Sequence, residues 1–278
     1  MQEKKLIDLD SLFKSKNPGL YRWIPSFVMG YLKRVLHQDH ANQFLLDHAN
    51  DDAFQFSTGV VKDIGITFDM QNMDRIPKTG GCILACNHPM GALEGMCLIS
   101  ELQKVRTDIK FIVNDLLLNL HNLREIFAGV NKLGKSSADS LKMINDLFSS
   151  EQLIVLFPAG LVSRKYHGVV EDLEWRKTFI TRARKYNKPV IPVYIHAQNS
   201  NFFYRLSNFR RRIGIKANIE MFYLVDEMYK QKGKHISIVF GKLIEPTTFT
   251  KLKTDEAWAR EVRQEVYRLK EHLIHPEI

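Results

Sequence analysis

The chain has 278 residues, 45% of them hydrophobic, a composition that excludes a disordered protein and allows one large globular domain. Its formal net charge of +9 favours an anionic partner, which could be nucleic acid, an anionic membrane surface or an acidic carrier protein. No apolar stretch approaches the roughly 20 residues of a membrane-spanning helix, so we expect a protein that does not cross a bilayer.

The N-terminal segment, residues 1–60, is predicted to form a helical arm in front of a domain over residues 61–278. Pro18 is typical of a helix start, and Pro25 allows a second helix to begin. Residues 21–36 mix aromatic and aliphatic side chains with basic ones, which suits a helix lying in a membrane interface. Packing of the arm on the protein's own core explains the pattern equally well, and both interpretations stay open.

From residue 81 onward, short apolar runs alternate with longer amphipathic segments, a pattern typical of strands alternating with helices. The runs predict strands over residues 81–86, 110–113, 153–157, 190–195 and 236–240. The segments between them predict helices over residues 92–105, 115–127, 137–148 and 172–186. A last helix is predicted to pack one apolar face on the core, with Trp258, Val262, Val266, Leu269 and Leu273. We therefore predict an α/β fold, a layered αβα domain with a largely parallel central sheet.

The three cysteines, Cys82, Cys86 and Cys97, lie close to His88 and raise the possibility of a zinc site. Their spacing is not that of a CxxC knuckle, and two of them fall in an apolar run where cysteine acts as a small hydrophobe. We therefore predict no metal ligands among these residues. The odd number of cysteines, without a signal peptide, indicates a reducing cytoplasmic compartment.

Polar turns follow three of the predicted strands. Asn87 and His88 end the first, the sequence FPAG at 157–160 ends another, and Asn199 follows a third. In a sheet that is largely parallel, ligand chemistry collects at the carboxyl ends of the strands. We expect the three turns to build one site.

His88 and Glu94 suit a base and its orienting carboxylate. An imidazole has a pKa near working pH, and a carboxylate on its far nitrogen fixes the tautomer and stabilises the imidazolium. Pro89 and Gly91 bend the chain so that Glu94 can return from the next helix. The spacing alone also fits a histidine that only caps that helix. Because the chain has no GxSxG elbow, the expected nucleophile is the substrate's own hydroxyl or amine.

A basic segment runs from Trp175 to Ile219, with eleven Lys or Arg and no Asp or Glu. Aromatic side chains are interleaved with the cations after residue 200. The pattern fits a solvated face, a membrane interface or a surface for single-stranded nucleic acid. Charge alone leaves these three open.

Three sequence blocks in this order resemble a known family. NHPMGALEG at 87–95, FPAGLVSR at 157–164 and KPVIPVYI at 188–195 are similar to blocks of the PlsC-like lysophospholipid and glycerophosphate acyltransferases. The family hallmarks are NHx4D, FPEGTRS and a later VIPV. The resemblance covers roughly residues 64–245 and is closest to the bacterial branch often labelled hemolysin-like. It implies acyl transfer from acyl carrier protein or acyl-CoA, without a metal or redox cofactor.

The resemblance also implies roles for individual residues. His88 would deprotonate the acceptor hydroxyl, and Glu94 would stand where the family has its aspartate. Further residues would bind substrate: Asn87, Lys132, Lys135, Ala159, Gly160, Ser163, Arg164 and Asn199. Lys132 or Lys135 would replace an arginine that meets a phosphate. This chain departs from the pattern in two places, since the gap from His88 to the acid is one residue longer and Ala159 replaces a glutamate.

We therefore predict an O-acyltransferase of lyso-lipids, peripheral on the inner face of an anionic membrane, with no nucleic-acid partner. Loss of the polar residue at Ala159 predicts that lysophosphatidic acid is not the best acceptor. A lyso-lipid with an N-acylated amino-acid headgroup and a free hydroxyl is expected to serve at least as well. The alternatives are N-acylation of an amino acid or amine, and a non-catalytic basic module that binds lipid or nucleic acid.

Overall fold

Strands and helices alternate through most of the chain in the computed structural model, which describes residues 7–16, 18–129 and 137–273. The strands are β1 Thr67–Gln71, β2 Cys82–Cys86, β3 Ile109–Val113, β4 Phe127–Gly129, β5 Leu153–Leu156, β6 Arg164–Tyr166, β7 Val169–Glu171, β8 Val190–His196 and β9 His235–Phe240. The helices are α1 Leu9–Lys16, α2 Pro18–Trp23, α3 Ser26–Val35, α4 Gln38–Asp47, α5 Ala53–Ile64, α6 Leu93–Leu102, α7 Ser137–Ser149, α8 Thr178–Lys185, α9 Asn201–Arg212, α10 Leu224–Tyr229 and α11 Asp255–Arg268.

Seven strands form the main sheet, in the order β1-β9-β8-β2-β5-β3-β4, and β6 pairs with β7 as a separate antiparallel hairpin. Every neighbouring pair in the main sheet is parallel except β8 with β9. The predicted α/β class and largely parallel sheet are confirmed. Because β2, β5 and β8 are parallel neighbours, the turns that follow them lie at the same edge of the sheet.

The central strand β2 is buried on both faces. Cys82, Leu84 and Cys86 pack into one apolar cluster, which includes residues of α5 and α6. Ile83 and Ala85 alternate with them and pack into a second cluster with residues of α7, α8 and α11. Helices therefore cover the sheet from both sides, which explains why the strands read as continuous apolar runs. The predicted apolar face of the last helix lies in this second cluster.

Two predicted helices differ from the structure. Over the predicted 115–127 there are two short 3-10 segments, Asp115–Asn119 and His121–Leu123, followed by β4, which pairs with the edge of β3. The predicted helix 172–186 begins only at Thr178, because Asp172 and Trp175 are held by buried hydrogen bonds outside any helix. Strand β1 and the β6–β7 hairpin were not predicted.

The N-terminal helices rest on the segment that follows α9. Tyr31 of α3 hydrogen-bonds to Tyr223 through the two hydroxyls at 3.0 Å, and His37 lies 3.1 Å from Asp226. Helix α5 crosses the predicted boundary at residue 60, with Phe56 and Ile64 buried in the core. None of the described helices combines the length and apolar character needed to cross a membrane.

Candidate active site

Asn87 extends the pairing of β2 with β8 by one side chain. Its Nδ2 donates to the Ile195 carbonyl at 2.9 Å, and its Oδ1 accepts from the Ile195 amide at 2.7 Å. The side chain thereby mimics a backbone peptide and is 3% exposed. These two hydrogen bonds fix the point at which the backbone leaves the sheet, and therefore the position of His88.

Glu94 returns to His88 from the first turn of α6. The distance from His88 Nδ1 to Glu94 Oε1 is 2.9 Å, and the same oxygen accepts from the amides of Met90 at 3.1 Å and Gly91 at 2.9 Å. Gly91 has φ of +117°, a conformation that side chains other than glycine rarely adopt. The turn therefore absorbs the extra residue between base and acid.

The carboxylate of Glu94 is inaccessible to solvent, with 0% exposure. Burial alone would raise its pKa, but the hydrogen bond from His88 and the backbone donors lower the pKa below its usual value. Its second oxygen, Oε2, has no hydrogen-bond partner within the part of the chain that the structure describes. An ionised carboxylate on Nδ1 places a proton there and leaves Nε2 of His88 as the basic nitrogen.

The His88 ring is fixed from two sides and retains access to solvent. It stacks on Phe157, which directly follows the neighbouring strand β5, with ring centroids 4.3 Å apart and planes at 25°. The side chain is 16% exposed, whereas Glu94 behind it is sealed. A substrate hydroxyl can therefore reach the histidine but not the carboxylate.

Asp172 holds the backbone of His88 from the protein interior. Its Oδ1 accepts from the His88 amide at 3.1 Å and lies 2.6 Å from Ser163 Oγ, and its Oδ2 accepts from Trp175 Nε1 at 2.8 Å. Burial raises the pKa of Asp172. The sequence carried no signal for this residue, because it falls in a stretch that reads as helix and belongs to none of the three blocks.

Ser163 belongs to the same support. Its amide donates to the His88 carbonyl at 2.7 Å, and its Oγ is 3.2 Å from that carbonyl. Both contacts are with the chain behind the imidazole. The third block, FPAGLVSR, therefore contacts the first block, NHPMGALEG, through Ser163. The spacing of the blocks in the sequence did not predict this contact.

Arg164, predicted to bind substrate, points its guanidinium into a buried ion cluster. Its Nη2 donates to Glu220 Oε1 at 2.9 Å, and Arg210 Nε donates to Glu220 Oε2 at 2.5 Å. Arg164 is 2% exposed and Glu220 is fully buried. The cluster ties the β6–β7 hairpin to α9, and it also removes Arg210 from the exposed face of the basic segment.

The turn after β5 carries Ala159 and Gly160. Ala159 is buried, and the Gly160 amide donates to the Phe157 carbonyl at 2.9 Å. Gly160 has φ of +68°, in the left-handed region that favours glycine. Through Phe157, this turn lies next to the His88 ring.

The third polar turn also meets the first. Asn199 Nδ2 donates to the Pro89 carbonyl at 3.3 Å, and the Asn199 amide donates to the Tyr204 hydroxyl at 3.0 Å. Its Oδ1 is buried and, among the described residues, makes no hydrogen bond. The structure thus brings Asn87, Asn199 and the His88–Glu94 pair to one edge of the sheet, as predicted.

Lys132 and Lys135 lie outside the described residues, so their predicted contact with phosphate stays a prediction. Their stretch, GVNKLGKS at 129–136, also fits the spacing of a phosphate-binding P-loop, with β4 before it and α7 after it. Both interpretations predict that the lysines bind an anion.

The three thiols are unsuited to nucleophilic attack. Burial raises the pKa of Cys82 to about 12 and also raises the pKa of Cys86 and Cys97. All three are buried and unpaired. Within the described ranges, no group of histidine, cysteine and carboxylate side chains has the arrangement of a metal site.

A family model described as acyltransferase matches residues 11–275. The chain belongs to the acyltransferase family. Two curated relatives, from Phocaeicola vulgatus and Bacteroides thetaiotaomicron, are each named lyso-glycine lipid O-acyltransferase. Each is 39% identical over 265 residues and covers 95% of this chain, and the alignments cover 95% and 97% of the two relatives. The family resemblance drawn from the three blocks is therefore confirmed.

A solved structure, the 1-acyl-sn-glycerophosphate acyltransferase PlsC from Thermotoga maritima, is more distant. It is 15% identical, matches 86% of this acyltransferase and 95% of its own chain, and has a TM-score of 0.47. Likeness at this level says nothing about the site.

Proposed function

We propose that this acyltransferase moves a fatty acyl group from a thioester to the hydroxyl of a lyso-lipid whose headgroup is an N-acylated amino acid, with His88 as the base. The observation that carries the proposal is the His88–Glu94 pair, in which the carboxylate is sealed from solvent while the His88 side chain is 16% exposed. The names of the two relatives, which match almost the whole chain, support the amino-acid headgroup.

The reaction follows from the geometry of the pair. The acceptor hydroxyl gives its proton to His88 Nε2, and its oxygen attacks the thioester carbonyl carbon. Glu94 stabilises the imidazolium through Nδ1 while the oxyanion forms. Collapse of the tetrahedral intermediate breaks the carbon–sulfur bond, and the imidazolium proton passes to the leaving thiolate. Because the thiols of the protein are buried, direct transfer is favoured over an acyl-enzyme.

The donor is acyl carrier protein or acyl-CoA. Both present a thioester on a phosphopantetheine arm and both are anionic, so the exposed cations of α9 suit either. These are Arg205, Arg211 and Arg212, whereas Arg210 is turned inward against Glu220. The carrier protein offers the larger acidic surface for these cations to meet.

Membrane contact is proposed for a surface where the two segments predicted to be interfacial come together. Tyr31 of α3 and Leu206 of α9 line the same shallow apolar cavity. Phe27 lies one turn before Tyr31 and is 76% exposed, and Phe209 on the same face as Leu206 is 58% exposed. Trp23, which precedes α3 in the chain, is 85% exposed. Exposed aromatic side chains beside arginines suit an anionic leaflet, which supports the proposal of a peripheral site on the inner face of the membrane.

The test is release of free thiol from acyl-CoA and from acylated carrier protein in the presence of a lyso-glycine lipid. We expect His88→Ala to lower turnover by about a hundredfold or more, while its melting temperature stays close to that of the wild type. His40→Ala is the matched control, because His40 pairs with Asp63 at 2.8 Å on an exposed surface. Near-full activity of His88→Ala would make the histidine structural.

A further inference from the structure

We propose that Arg176 binds the carboxylate of the acceptor and so selects lyso-lipids whose amino-acid headgroup keeps a free carboxylate. This inference rests on the proposed function, and it concerns a residue outside the three sequence blocks. The observation behind it is the place of the guanidinium. Arg176 Cζ and Nη2 lie 3.7 Å from the position that a Cβ on Gly160 would take.

That position lies in the turn whose first residue contacts the base. Gly160 closes the turn that starts at Phe157, and Phe157 stacks on the His88 ring. Glycine at 160 leaves open space under the guanidinium, where any larger residue would bring its side chain into contact with Arg176. The cation therefore lies over the turn that ends β5, at the edge of the sheet where the three polar turns meet.

Arg176 is also available to a ligand. It is exposed, and among the described residues its guanidinium forms no ion pair, whereas the adjacent Lys177 pairs with Glu256 at 2.6 Å. Arg164, the arginine expected in this role, is committed to Glu220. Of these three cations, Arg176 is the one that an incoming anion could meet without displacing a carboxylate.

The backbone of Arg176 is fixed relative to His88. Its amide donates to the Pro158 carbonyl at 3.1 Å, inside the same turn. The preceding Trp175 is buried and donates to Asp172, which accepts from the His88 amide. The Pro158 contact and the Trp175–Asp172 contact therefore link the backbone of Arg176 to that of His88. A headgroup bound by Arg176 would hold the rest of the acceptor at a fixed distance from His88.

An N-acylated glycine has a single ionised group, its carboxylate. A guanidinium can bind that group through two parallel hydrogen bonds, and a charge-assisted pair of this kind is among the stronger polar contacts in proteins. A phosphate monoester offers similar oxygens, so the shared chemistry is an oxyanion, and the choice between the two sources is made by experiment.

The experiment compares an N-acyl-glycine lyso-lipid with its neutral methyl amide, which lacks the negative charge of the carboxylate. We expect the wild type to prefer the carboxylate by about tenfold or more in kcat/KM. Arg176→Gln should reduce this preference to about twofold or less, chiefly by raising KM for the carboxylate, with kcat for the amide unchanged. The control is Arg260→Gln, which changes an exposed arginine that lies 3.8 Å from Glu174. This variant should keep the preference for the carboxylate.

Two outcomes would overturn the assignment: full preference retained by Arg176→Gln, or no preference in the wild type. Equal use of lysophosphatidic acid, lost in the same variant, would instead assign Arg176 to a phosphate and overturn selection of the amino-acid headgroup. Failure of the proposed function is distinguishable, because the wild type would then release no thiol with either acceptor. Binding of the two lipids to His88→Ala, with and without Arg176→Gln, measures the same selectivity without turnover.

Discussion

Glu94→Gln changes one atom of the candidate pair and tests how the carboxylate acts. Three donors converge on Glu94 Oε1, from His88 Nδ1 and from the amides of Met90 and Gly91. In the variant, the amide oxygen must take this position, because a side-chain NH2 would face three donors. The glutamine therefore still holds His88 in its working tautomer, and what disappears is the negative charge.

The loss can be estimated from these contacts. A hydrogen bond to a charged group contributes about 1.5–3 kcal/mol, roughly twice the contribution of a neutral one, so neutralising the acceptor removes about 1–2 kcal/mol of imidazolium stabilisation. That corresponds to a decrease in kcat of roughly tenfold. Separately, the new NH2 replaces an Oε2 that already has no partner among the described residues, so the variant exchanges one unsatisfied buried atom for another and we expect the fold to be retained.

The assay is steady-state thiol release beside thermal unfolding as a function of pH. The pKa of Glu94 is lowered in the fold, so its stabilising contribution is present at neutral pH and lost as pH falls through the folded value. Glu94→Gln should remove that part of the acid sensitivity. Glu101→Gln, on the same helix and paired with Lys104, is the control. Unchanged kcat in Glu94→Gln would refute the pairing, and a loss as deep as that of His88→Ala would refute the tautomer argument.

Two further predictions concern the support and the surface. Asp172→Asn keeps an acceptor for the His88 amide but turns an NH2 toward Trp175 Nε1. We therefore expect kcat to fall about tenfold and the variant to unfold at a lower temperature. An unchanged kcat would show that His88 does not depend on the hydrogen bond from its amide to Asp172. Replacing Trp23 and Phe27 with Ser should weaken binding to anionic vesicles in a sedimentation assay, while activity on detergent-dispersed acceptor is retained; undiminished vesicle binding would move the membrane contact elsewhere.

The polar turns could be predicted because their signals are local. A strand of β-branched and small apolar residues, then Asn87 and His88, then a glycine and an acid, indicates both the strand end and the returning carboxylate. The parallel direction of β2, β5 and β8 followed from the alternation of strand and helix, whereas their order in the sheet was not predicted. The structure then places Glu94 at hydrogen-bond distance from His88 despite the longer gap.

What could not be predicted depends on contacts between distant segments. Asp172 reaches His88 across 84 positions, and Arg164 reaches Glu220 across 56, and neither pair has a spacing pattern. Arg164 was predicted to bind substrate because it lies in the FPAGLVSR block. Its partner in the structure, Glu220, follows α9 and belongs to no block. Strand β1 was missed because it is an edge strand with partly exposed side chains, and its apolar pattern is correspondingly weak.

The central claim is that His88 drives acyl transfer to a lyso-lipid with an amino-acid headgroup. Its most direct test offers lyso-glycine lipid and lysophosphatidic acid together to the wild type, with one labelled acyl donor, and follows both products. We predict that the label goes to the lyso-glycine lipid at least as fast as to lysophosphatidic acid, and that His88→Ala lowers formation of both products by about a hundredfold or more. A strong preference for lysophosphatidic acid, or labelled product from His88→Ala at the wild-type rate, would contradict the account.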